Sequence, residues 1–246
     1  MSASGEKHSP LEQFEITPFV HFEVGSVDLA FTNSSLAMVI TTAVITLFLT
    51  LSVNTRSIIP SRVQLISELS YGFIAQLLKD TVGEQGRKYF PFVFTIFMFV
   101  LIGNMLGMIP YSFTFTSHII VTFALAMFIF LFITLIGIFM HGFKFFGLFV
   151  PKGVPMLMLP LMIPIEIISY LSRPISLSVR LFANMMAGHT MLKIFASFVF
   201  SLGIFGFAPL IIDVALTALE VLIAFLQAYV FTILTCIYLN EAINLH

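Results

Sequence analysis

Between Asp28 and Arg56 the chain carries no charged side chain, and Leu36 to Val53 is almost wholly apolar. A helix of ~20 apolar residues is what crosses the hydrocarbon core of a bilayer, so a first transmembrane helix is predicted over residues 31–54. The pattern recurs. Tyr89 to Ile109, closed by Pro110, predicts a second span over 89–109, and Ile119 to Met140, bounded by His118 and His141, a third over 119–141. Only 9% of the 246 residues are charged and 59% are hydrophobic, against roughly 25% charged in soluble domains. There are too few polar residues to build a wet shell, so lipid must cover most of the surface.

The segment from Arg56 to Lys88 is different. Ile66, Leu69, Phe73, Ile74, Leu77 and Leu78 recur at helical spacing, with Gln64, Glu68, Gln76 and Lys79 on the other side. That pattern predicts an amphipathic helix over 62–82, lying on the membrane surface or against neighbouring helices. Beyond the short loop of Gly142–Pro155, with Lys144 and Lys152, the run from Pro160 to Gly203 is interrupted only by Pro164 and Pro174. The run from Pro209 to Leu239 is not interrupted at all. A single helix from Pro160 to Gly203 would be ~65 Å long, about twice the ~30 Å hydrocarbon core, so it must tilt steeply or break.

The expected architecture is therefore an all-α membrane protein, a single integral membrane domain over residues 1–246. It has a polar N-terminal segment (1–30), five membrane-inserted helices, one amphipathic surface helix, and a long tilted C-terminal hairpin of 160–203 and 207–241. Lys and Arg concentrate in Arg56–Lys88 and at Lys144 and Lys152, which places those segments and the C-terminus inside and the N-terminus outside. The lack of paired internal repeats counts against the common secondary-transporter folds. One cysteine, Cys236 in an apolar run, supports neither a disulfide framework nor a thiolate metal site. No basic cluster suggests nucleic acid, no nucleotide motif is present, and no cofactor or metal is expected. Glu6, Glu12, Glu15, Glu23 and Asp28 against Lys7 are unlike a basic cleaved presequence. His21, His118, His141 and His246 stand at segment ends and read as surface histidines.

Ionisable residues inside membrane helices are costly and by default mark function. Glu166, Ser169, Arg173, Ser176, Arg180 and Asn184 are spaced by three or four and form one polar stripe. Arg173 and Lys193 are close enough to helix ends to snorkel to an interface, but Arg180 lies well inside the run. His189 falls on another face, so the helix changes its polar side partway along. The last helix repeats the theme with Asp213, Thr217, Glu220 and Gln227. Pairing Arg180 with Gln227 and His189 with Glu220 in an antiparallel hairpin puts its tip near residue 204 in both cases. There Gly203, Gly206 and Pro209 supply turn signals. No carboxylate of this chain is placed to neutralise Arg180, so its partner is expected on another helix or another protein. Asn104 is a hydrogen-bonding packing residue or a channel residue.

Leu171–His189, reading LSRPISLSVRLFANMMAGH, closely resembles the signature of the a subunit of F-type ATP synthases. GNMLGMIP (Gly103–Pro110) and FLQAYVFTILTCIYL (Phe225–Leu239) resemble two further stretches of that family, and the likeness runs from Leu36 onward. The resemblance implies a proton-translocating stator subunit in a bacterial inner membrane, not an enzyme on its own. Its implied partners are a rotating ring of c subunits, b-type peripheral stalk subunits and, indirectly, the F1 sector. It implies that Arg180 faces the ring carboxylate, with Gln227 and Asn184 as polar neighbours. It also implies that His189, Glu220 and Asn104 line the half-channel open to the outside, and Glu166, Ser169 and Ser176 the one open to the inside. Two positions depart from the commonest bacterial pattern. Ala183 stands where many members have Gly, and the Glu/His pair is exchanged to His189 and Glu220, an arrangement resembling the mitochondrial version. The rival expectation is a self-contained secondary transporter that uses Arg180 as an anion or substrate site.

Overall fold

The computed structural model describes residues 17–24, 27–54, 60–109, 112–150 and 158–244. Six long helices make the body of the protein: α1 (Asn33–Asn54), α2 (Arg62–Val82), α3 (Phe90–Gly107), α4 (Ile119–His141), α5 (Leu159–Ser201) and α6 (Phe207–Ile243). Among the described residues, Asn33–Val53, Glu84–Gly107, Ile119–Phe145 and Phe207–Ile243 are long and apolar enough to cross a membrane. The fold is that of a helical membrane protein.

One element was not anticipated. Pro18–Val24 (β1) and Val27–Thr32 (β2) pair as an antiparallel hairpin ahead of α1. The polar character of this segment hid alternating, β-branched stretches such as VHFEV and VDLAF, which suit a short two-stranded ribbon.

The helix ends follow local chemistry. Ser61 caps α2 by accepting the Gln64 N–H, and Gly83 (φ 80°) ends it in a conformation open to glycine. Only the second half of α2 is packed: Ile74, Leu78 and Val82 are buried against α3 and α6, whereas Val63, Leu65, Ile66 and Leu69 are exposed. The apolar stripe seen in the sequence is thus shared between a protein contact and a free surface.

The long segment resolves towards continuity. α5 runs through 43 residues without breaking, carrying Pro164 and Pro174 inside it. Each proline removes one backbone donor, and the other hydrogen bonds of a long helix tolerate the loss. At ~1.5 Å per residue it is ~65 Å long, so crossing a ~30 Å core requires inclination. A 3-10 turn at Gly203–Gly206 returns the chain into α6, with Gly203 at φ 56°. A Cβ on Gly206 would sit 2.3 Å from the Val199 carbonyl oxygen, so glycine is required for so tight a return. α6 is the hub. It packs on α2, α3, α4 and α5, burying Ala224, Ala228, Phe231, Cys236 and Leu239 completely. Its small residues let neighbouring backbones approach.

Candidate functional site

Three polar stations lie along the α5–α6 hairpin. At the end nearest the chain terminus, Arg173 of α5 forms an ion pair with Glu241 of α6. Its guanidinium lies over two rings, 5.0 Å from the centre of Tyr170 and 4.8 Å from that of Tyr238, a favourable cation–π setting. Tyr170 is held in turn by a 2.7 Å hydroxyl contact with Thr134 of α4. Arg173 therefore finds its counter-charge within the chain, on a carboxylate two residues from the end of α6. Nearby, His141 Nε2 lies 2.9 Å from the Ile243 carbonyl oxygen, tying α4 to the last turn of α6.

Arg180 occupies the middle station, two turns along α5. It is exposed, and among the described residues it forms no ion pair. Around it α5 shows an apolar outer face, with Ile168, Leu171, Ile175 and Val179 exposed. The side chain of Asn184, one turn further, donates to Gln227 Oε1 at 2.8 Å. Gln227 is thus bonded to Asn184, one turn beyond the residue with which hairpin register paired it.

The third station is a buried nest where α3, α5, α6 and the connection before α4 meet. His189 Nδ1 lies 3.4 Å from Glu220 Oε1, the contact that the hairpin register anticipates. Gly188 makes it possible, since a Cβ there would stand 2.7 Å from Glu220 Oε1. On the other side of the imidazole, Nε2 lies 3.2 Å from Thr114 Oγ1. Asn104 is fully buried and donates from Nδ2 to the Ala224 carbonyl oxygen at 3.4 Å, one turn from Glu220. The nest is short of partners. Among the described residues, both Glu220 oxygens, Asn104 Oδ1, Gln227 Nε2, Thr116 Oγ1 and His118 Nε2 are buried without a hydrogen bond. Native interiors leave few such groups, so this nest departs from an ordinary packed core.

The structure therefore gathers His189, Glu220 and Asn104 at one end of the hairpin. Glu166, Ser169 and Ser176 lie on the other half of α5; the serines are exposed and Glu166 is half-buried. Three residues at the nest were missed. Thr114, Thr116 and Ser117 belong to the stretch FTFTSH, between the second and third predicted spans. Its density of hydroxyls between two spans was the available signal. His118 is a correction: its ring stacks on Phe113 at 5.0 Å and burial holds its pKa below the usual histidine value. His141, bonded to α6, is likewise no free surface group. The side chain of His21, and His246 and Lys152, lie outside the described residues. Glu241 was also missed, although a buried Arg173 called for such a partner.

Residues 35–240 match the family model of the ATP synthase A chain. The chain is 59% identical over 240 residues to the ATP synthase subunit a of Pelagibacter ubique, covering 97% of this chain and 98% of that protein. It is 57% identical over 240 residues to the ATP synthase subunit a of Rhodospirillum rubrum, covering 97% and 100%. With the corresponding protein of Chelativorans sp. it shares 55% identity over 242 residues, covering 96% and 97%.

Proposed function

Because this chain belongs to the ATP synthase A chain family, we propose that it is the stator past which a ring of c subunits turns, with Arg180 opposite the ring carboxylate. As a subunit of an ATP synthase it acts within that complex, not as an enzyme by itself. The observation that carries the reading is an exposed guanidinium in the middle of an apolar helix face, with no ion-pair partner among the described residues. In lipid such a charge is expensive, and a carboxylate on another protein removes the expense.

The physics follows from that placement. A ring carboxylate travelling through lipid must be neutral. Opposite Arg180 its ionised form is favoured, so it releases its proton there and is reloaded from the other side. A fixed cation between the two routes also repels protons and blocks a direct leak. Each proton descending a 100 mV potential releases ~2.3 kcal/mol, which is coupled to rotation. His189, Glu220 and Asn104, with Gln227 and Asn184, supply the outer route. Glu166, Ser169 and Ser176 supply the inner one. The N-terminus faces outward and the C-terminus inward, in a bacterial inner membrane with b-type stalk subunits alongside.

The test is Arg180→Ala in the assembled complex, reading ATP-driven proton pumping and passive leak. Pumping should vanish, and leak should rise with the barrier gone. Normal pumping would end the proposal. Ion transport by the purified chain alone in vesicles would instead favour the self-contained transporter.

A further inference from the structure

Thr114 is buried in the connection between α3 and α4, and its hydroxyl has two neighbours. Oγ1 donates to the Gly107 carbonyl oxygen at 3.0 Å. The approach depends on glycine, since a Cβ on Gly107 would lie 2.6 Å from the Thr114 methyl and 2.8 Å from its hydroxyl. The same oxygen is 3.2 Å from His189 Nε2. A hydroxyl has one proton to donate. Here Gly107 takes it, so Thr114 presents only a lone pair to the ring, and Nε2 must carry a hydrogen.

The other ring nitrogen then has a defined state. A neutral imidazole protonated at Nε2 has a lone pair at Nδ1, and Nδ1 lies 3.4 Å from Glu220 Oε1, a separation that must close slightly before the two form a hydrogen bond. The opposite tautomer would set the Nε2 lone pair against that of Thr114. We propose that Thr114 is a positioning residue that holds His189 in the Nε2–H tautomer, so that the Glu220–His189 pair shares one mobile proton between Oε1 and Nδ1. The inference rests on the proton-path reading above.

The transfer balances within the pair. As the Glu220 O–H bond breaks, an Nδ1–H bond forms and the bonding electrons stay on the carboxylate; return reverses this. The Gly107 carbonyl is too weak a base to take the Thr114 proton, so nothing passes through Thr114. With Thr114 closed to it, a proton that reaches His189 from Glu220 returns by the Nδ1 side. Glu220 is then the member that hands the proton onward, and His189 lends it a second, reversible seat.

The experiment uses assembled complex carrying 15N-labelled histidine, with His189 resonances assigned by their loss in His189→Gln. Unaltered protein and Thr114→Ser should show neutral His189 protonated at Nε2. Thr114→Val should move that proton to Nδ1 and lower ATP-driven pumping about tenfold, the scale of one lost hydrogen bond. If the valine variant does not assemble, Thr114→Ala, which empties space instead of filling it, reads the same tautomer. Retention of the Nε2 proton without the hydroxyl would overturn the inference. A tautomer switch with undiminished pumping would leave Thr114 its hold on the ring but overturn both the shared-proton relay and the outer route assigned to this nest.

Discussion

The two ends of the α5–α6 hairpin treat charge in opposite ways. Arg173 has its ion pair with Glu241 and two tyrosine rings, one of them fastened to α4. At the other end His189 and Glu220 are deeper, yet neither Glu220 oxygen accepts a hydrogen bond among the described residues. A saturated charge is fixed in one state and holds structure. An under-satisfied one sits near a balance between states, which is what a proton relay needs and a scaffold must avoid. Arg180 lies between them on the same helix and has neither arrangement among the described residues. It suits a partner that comes and goes.

The contrast is broken most directly at the His189–Glu220 end. Glu220→Gln keeps the shape of the side chain but removes its ability to ionise. Proton pumping should fall about a hundredfold or more, the usual contribution of a positioned acid or base. The thermal stability of the solubilised complex should change by less than ~1 kcal/mol, because few bonds are lost. A variant that pumps normally, or one that unfolds, would place Glu220 with the scaffold instead.

At the Arg173–Glu241 end the pattern should invert. Glu241→Leu leaves Arg173 without its carboxylate in a site where its side chain is only 18% exposed. The cost should be about 2 kcal/mol, below the range for fully buried pairs because Glu241 is partly solvated. Removing both charges, Arg173→Met with Glu241→Leu, should cost less than the single change, since no orphan charge remains. Pumping per assembled complex should be nearly unaffected in the double variant. A pumping defect there without loss of stability would give the clasp a direct share in transport.

How much of this was legible in the sequence divides along physical lines. Long apolar runs and their spacing disclose helices, because both span length and helical period are local properties. The His189–Glu220 contact was legible too, since an antiparallel hairpin ties register to its turn. For Gln227 the rule gave the neighbourhood and not the hydrogen-bond partner, which is Asn184, since register fixes partners only to within a turn. The residues that complete the nest come from another part of the chain. Thr114 reaches His189 because the connection between α3 and α4 packs on α5, and no periodicity within FTFTSH announces that. The β1–β2 hairpin escaped for a similar reason: its strands are short, and polarity alone describes them poorly.

The smallest expected effect concerns His118, which borders the nest without joining the relay. Its ring is stacked on Phe113, and burial disfavours the charged form, so its folded-state pKa is lowered. The unfolded chain therefore binds a proton at a higher pH than the folded one. Above the ordinary histidine value of 6.5 both states are neutral here and the residue is without effect. As pH falls below 6.5 the unfolded state gains a proton that the folded state resists, and stability declines down to the lowered folded pKa. His118→Gln, which cannot charge, should flatten this part of the stability–pH curve and change pumping at pH 7.5 little. The check is the melting temperature of the solubilised complex between pH 5 and 8, with and without the substitution. Curves that stay parallel across that interval would show His118 to be reached by water, and would move the boundary of the buried nest inward to Thr114.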